Sequence, residues 1–135
     1  MHDVQSTLIG EHCSYRLLEN RIHEFVMHES SRAAVDDFIK ILNEIARSTP
    51  PETEPLPSLM DSAVGVQPIR YIFGRLKDYI RDNPNTAGQS SKFALILPES
   101  VLTRSVGGMM SMFSALKTRL FTPEERQKAI DWLLE

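Results

Sequence analysis

An α/β fold with one mixed, mostly parallel sheet of about five strands and four helices, in the order ββαβαβαβα, is what this chain predicts. Three observations point to it. Short runs of strand-forming residues alternate with longer stretches in which apolar residues recur at spacings of three and four. The run FALIL at 93–97 is apolar throughout, as a strand covered on both faces requires. Strands that alternate with helices favour right-handed crossovers and parallel pairing, here with an antiparallel hairpin strand at the start.

Residues 1–13 read as a polar leader and residues 14–135 as a single domain. Residues 15–18 and 22–28 are two strand runs separated by Glu19, Asn20 and Arg21, and Asn20 suits the turn of a hairpin. From Ser31 the period changes. Val35, Phe38, Ile39, Leu42, Ile45 and Ala46 form the stripe of an amphipathic helix, with Ser30 or Ser31 as its cap. The segment STPPETEPLP is a loop, because proline donates neither in a helix nor in a ladder.

Leu59 and Met60 belong to a short strand ending at Asp61. Ile69, Ile72, Phe73, Leu76 and Ile80 make a second helical stripe, with Pro68 near its first turn, where the missing N–H does no harm. The helix starts near Val66 or Gln67, and DNPNTAG closes it. After the strand at 93–97, ended by Pro98, residues 101–116 read as a third helix despite Gly107 and Gly108, and residues 119–121 as a last strand. Thr122, Pro123 and Glu125 compose a capping box for a terminal helix whose buried side is Ala129, Ile130, Trp132 and Leu133.

The bulk numbers narrow the function. A chain of this length suits one domain that buries roughly two-thirds of its unfolded surface. A net charge of −3 offers no general attraction for a phosphate backbone, so nucleic acid is not expected as a partner. The single cysteine, Cys13, forms no internal disulfide and fits a reducing compartment. The first residues lack the basic and apolar regions of a signal peptide, and no apolar run is long enough to cross a bilayer. The expectation is a cytoplasmic protein without integral membrane association.

Two stretches draw attention as sites. In LMDSAVGVQPI, residues 59–69, Asp61, Ser62 and Gly65 sit where a strand stops and a helix begins, expected to face outward as a partner-binding loop and possible phosphosite. A phosphate on Ser62 would add roughly two negative charges near a helix N-terminus, which favours anions. The bland alternative is that Asp61 and Ser62 bond local backbone while Gly65 supplies an unusual dihedral. The second stretch is residues 107–116, where Met109, Met112 and Phe113 share a face. That face suits a pocket for a lipid or other apolar small molecule, or simply the core.

Other groups assemble no chemistry. His23 and His28 are five apart on a strand, so they point to opposite faces and share no metal, and His2 and His12 fall in the leader, where nothing holds them. His12 and Cys13 are sequence neighbours that face apart. Arg70, Lys77 and Arg81 make a basic stripe diluted by Asp78 and Asp82, and the pairs Asp36–Asp37 and Glu124–Glu125 are adjacent on helices and do not face each other. No cofactor and no enzymatic activity are expected.

The order of elements, from about Tyr15 to Leu134, resembles the STAS fold of bacterial anti-sigma-factor antagonists and their SpoIIAA-like relatives. Two motifs carry the resemblance. Met60, Asp61 and Ser62 followed by Gly65 and Val66 are similar to the run in which antagonists carry a phosphorylated serine. Phe121 and Thr122 lead into a helix ending Ala129, Ile130, Asp131, Trp132 and Leu133, as in the lipid-transfer-related branch. The chain departs at the phosphoacceptor, where Ala63 lacks a hydroxyl and Ser62 is only its neighbour. The resemblance implies a non-enzymatic regulatory module binding a protein partner, an anti-sigma-factor-like or signalling protein, through the loop at 61–65. The alternative it implies is a carrier or sensor of apolar small molecules. Pairing into a homodimer through an edge strand or the leader is a further expectation.

Overall fold

The computed structural model describes residues 7–9, 11–48, 50, 56–83, 92–100 and 118–135. Its sheet holds six strands in the order of the chain: β1 (Thr7–Ile9), β2 (Cys13–Leu17), β3 (His23–Met27), β4 (Ser58–Asp61), β5 (Phe93–Ile96) and β6 (Thr118–Phe121). The first two pairings are antiparallel and the other three parallel, so the sheet is mixed and mostly parallel. Helix α1 (Arg32–Ser48) joins β3 to β4, and α2 (Ile69–Asp82) joins β4 to β5. Helix α3 (Arg126–Leu133) follows β6 through the 3-10 turn Pro123–Glu125.

One difference from the expected element order stands out. The leader contains a strand: Leu8 pairs with Tyr15, and Cys13 already belongs to β2. Three residues, TLI, are too few to display an alternation. The described residues contain three α-helices, and the helix expected at 101–116 lies outside them. The Arg21 N–H donates to Leu18 O at 2.9 Å and the Leu18 N–H to Ile22 O at 3.0 Å, so Glu19 and Asn20 are the central residues of the hairpin turn, as expected of Asn20, and Arg21 follows them with left-handed backbone, φ 67.

The strand period of two sorts side chains onto two faces. On one face Cys13, Tyr15, Phe25, Met27, Met60 and Leu95 meet the stripe of α1, from Val35 through Phe38 to Ile41, and Ile72 of α2. On the other, Leu59, Ala94, Ile96 and Phe121 meet Ala129 and Leu133 of α3. Residues 94–97 thus contribute alternately to both cores, which is why their sequence shows no polar position. The Ser31 hydroxyl accepts from the Ala34 N–H at 3.1 Å and caps α1. The Thr122–Glu125 capping box forms, with the Thr122 N–H donating to Glu125 Oε1 at 3.0 Å. Pro68 precedes α2 as its N-cap residue.

The second face is covered unevenly. Two registered rows run across it: Arg16, Glu24, Leu59, Ala94 and Arg119 in one, and Ser14, Val26, Asp61, Ile96 and Phe121 in the next. Each row is apolar at β5, beneath α3, and polar at its β2 end.

Phe38 sets its ring edge-on to Phe25, with centroids 5.0 Å apart and planes at 89°, and joins helix to sheet. Phe38→Ala removes that contact and leaves a cavity, so urea denaturation should show a loss of about 3–5 kcal/mol. His23 accepts or donates at 2.8 Å with the Tyr15 hydroxyl, and burial lowers its pKa to about 4. A folded state that resists protonating His23 loses stability as pH falls from about 6.5 towards 4, by up to about 1.4 kcal/mol per pH unit. Unfolding midpoints measured across that window should fall for the wild type and fall less for His23→Gln.

Candidate functional site

The loop from β4 to α2 emerges at the carboxyl end of the parallel strands, beside the β3–α1 loop. Open α/β sheets commonly place binding loops at this end. The Asp61 carboxylate accepts from the Ala63 N–H at 3.1 Å, an Asx turn that starts the reversal. The Gly65 N–H then donates to Ser62 O at 3.0 Å. Gly65 has φ 148, a backbone state that side chains disfavour, whereas an added Cβ would meet the Ser30 side chain at ordinary contact, its Cβ at 3.5 Å and its Oγ at 3.9 Å. Its dihedral, not crowding, calls for glycine.

Beneath this turn lies a connected polar network. The Ser62 N–H donates to Ile96 O at 2.9 Å, and its hydroxyl donates to Gly65 O at 2.5 Å. Gln67 donates through Nε2 to Ser62 Oγ at 3.1 Å and to Glu29 O at 2.9 Å. Its Oε1 accepts from the Ser31 N–H at 3.3 Å. Ser30 Oγ donates to Val66 O. A single buried amide therefore ties the β3–α1 loop, the β4–α2 loop and Ser62 together.

Ser62 is 0% exposed, against the expectation that it faces outward. Its hydroxyl sits inside the network because the strand alternation that turns Asp61 towards the open face sends the next residue inward. A phosphate there would bury a dianion and break the bond to Gly65, so the buried hydroxyl is a brace in this conformation and not an accessible acceptor. Asp61 is half-buried, Ala63 is exposed, and Val64 at the tip is 53% exposed. Gln67, the residue that organises the loop, carried no sequence signal, since an isolated glutamine before a proline fits any loop.

A second feature went unseen in the sequence. The polar part of the open sheet face forms a cleft of about 420 Å³ lined by Ser14, Arg16, Glu24, Val26, His28, Asp61 and Arg126, with Tyr15. Glu24 is only 3% exposed, and a buried carboxylate needs partners. Arg16 Nε lies 2.5 Å from its Oε1, and Arg126 of α3 bonds its Oε2. Ser14 Oγ and His28 Nε2 are 2.6 Å apart on the cleft wall. The residues come from β2, β3, β4 and α3, a separation in sequence that hides them.

The remaining candidates resolve individually. Met109, Met112 and Phe113 lie outside the described residues. The hollow between α1, α2 and the sheet, bordered by Phe38, Met60, Ile72 and Phe93, has about 30 Å³, room for about one water. His12 is held, contrary to expectation: its backbone N–H donates to Asp37 Oδ2 at 2.9 Å, and its ring Nδ1 lies 3.1 Å from Glu29, whose hydrogen bond raises the imidazole pKa. Cys13 is buried, and desolvation pushes its thiol up to about 12, so it is a core residue and not a nucleophile. Arg81 pairs with Asp78 at 3.2 Å and Asp82 at 3.4 Å. Among the described residues no group of histidines, cysteines and carboxylates is arranged to hold a metal, and no helix is long and apolar enough to cross a membrane.

No family model, curated protein or solved structure matches the chain.

Removing the brace has a calculable cost. Ser62→Ala strands the Gly65 carbonyl and one Gln67 donor, so chemical denaturation should register a loss of about 1–3 kcal/mol. Ser62→Glu adds a buried charge to the same defect and should lower the midpoint further than Ser62→Ala does.

Proposed function

We propose that this chain is a non-enzymatic, STAS-like interaction module that captures a protein partner through the β4–α2 loop and the start of α2. Val64 carries the proposal: a large apolar side chain stands 53% exposed on a turn whose backbone is fastened from below. An apolar tip that is already ordered loses little conformational freedom on binding, so its burial is available to affinity. Asp61, beside it, supplies a carboxylate for orientation, and Arg70 on the first turn of α2 is exposed. The partner class, a signalling protein in the cytoplasm such as a kinase-like anti-sigma factor, comes from the resemblance to antagonists. Switching by phosphate on Ser62 is not part of the proposal, because the hydroxyl is enclosed and Ala63 occupies the acceptor position.

The carrier reading draws on residues 107–116, which lie outside the described residues, and the hollow bordered by Phe38, Met60, Ile72 and Phe93 has only about 30 Å³.

Affinity capture from a lysate of the source cells tests the module. Val64→Asp should abolish recovery of the partner while leaving the thermal midpoint within about 1 °C, since an exposed site contributes little to stability. Wild-type recovery by that variant would remove the loop from the interface.

A further inference from the structure

The cleft on the open sheet face has the composition of a binding site, and its architecture states what would fill it. Glu24 is nearly inaccessible, yet each of its carboxylate oxygens is met by a guanidinium, Oε1 by Arg16 from β2 and Oε2 by Arg126 from α3. A single carboxylate neutralises only half of that charge. Each guanidinium has five N–H donors in a fixed fork, and binding Glu24 uses only part of that capacity. Arg16 is 60% exposed at its side chain and Arg126 34%, and both line the cleft. One end of the cleft is therefore a cationic donor surface rigidly positioned by a buried anion.

The other end has the opposite sign. Asp61 lies in the neighbouring row, paired in register with Val26, which is two residues along β3 from Glu24. Asp61 on β4 and Arg16 on β2 flank β3, and their rows are offset by two residues, about 7 Å along the strands. Val26 separates the two ends on the same face, and the hydrogen-bonded Ser14 and His28 form the side wall. The sum over Arg16, Arg126, Glu24 and Asp61 is zero, but the charge is spatially divided.

We propose that this cleft binds a small two-ended molecule, an oxyanion (phosphate or carboxylate) held by Arg16 and Arg126 and a nearby ammonium or hydroxyl held by Asp61, with Val26 beneath the short link. Charge-assisted bonds from guanidinium forks to an oxyanion are the strong element, and Asp61 selects what is attached to it. The site does not depend on the partner-binding role of the loop, although Asp61 stands at the root of that loop.

Amide chemical shifts titrated with phosphoethanolamine, inorganic phosphate and ethanolamine provide the test. Phosphoethanolamine should give saturable shifts at Arg16, Glu24, Val26 and Asp61, and should bind more tightly than either fragment. Arg16→Gln alters the more exposed guanidinium and leaves Arg126 on Glu24, so the fold is expected to persist while affinity for phosphoethanolamine and phosphate falls about tenfold. Asp61→Asn should weaken phosphoethanolamine alone. Glu24→Gln frees guanidinium donors and should tighten inorganic phosphate, a gain that a purely structural Glu24 would not produce; if that variant does not fold, Arg16→Gln and Asp61→Asn decide. Absence of saturable shifts up to about 10 mM probe overturns the site. So does binding that is unchanged in Arg16→Gln, and phosphoethanolamine no tighter than phosphate overturns the two-ended ligand.

Discussion

Burial of β4 and β5 on both faces is the constraint from which the rest of the molecule follows. Leu59 and Met60, like Ala94 and Leu95, face opposite ways and each needs an apolar cover. Among the described residues the cover on one side is α1 with α2, and on the other it is α3. An eight-residue helix shields only the strands near it, so the β2–β3 end of the second face is left to polar side chains. The cleft is the geometric remainder of a short helix on a wide sheet. The β4–α2 loop likewise starts where this doubly covered strand ends, which is why Asp61 turns to the open face and Ser62 to the interior.

Much of this was legible in the sequence. The stripe from Val35 to Ile45, the stripe around Ile72, the apolar run at 93–97 and the box at Thr122 and Glu125 each announce an element through a local rule, and each element formed. Local rules see periods and caps. They do not see a three-residue strand such as Thr7–Ile9, which is defined by its pairing with β2, nor which residue of a turn takes the positive φ.

The candidate site divides along the same line. Asp61 and Gly65 do what turn chemistry suggested, one as the acceptor of an Asx turn and the other as the residue with an unusual dihedral. The inward direction of Ser62 depends on strand phase and on Gln67 crossing to Glu29, a contact between residues 38 apart in sequence. The Glu24 pair with Arg126 joins residues 102 apart. A polar residue's role is settled by its partner, and distant partners leave no periodic trace.

The spatial order of the strands repeats their order in the chain, so every strand from β2 onward docks against the one made just before it. The entropy lost in closing each loop is then limited to the length of one connection. Such a sheet can grow at one edge, strand by strand from the amino-terminal hairpin, without threading a late strand between two earlier ones, an order of assembly that matches the order in which the ribosome releases the chain.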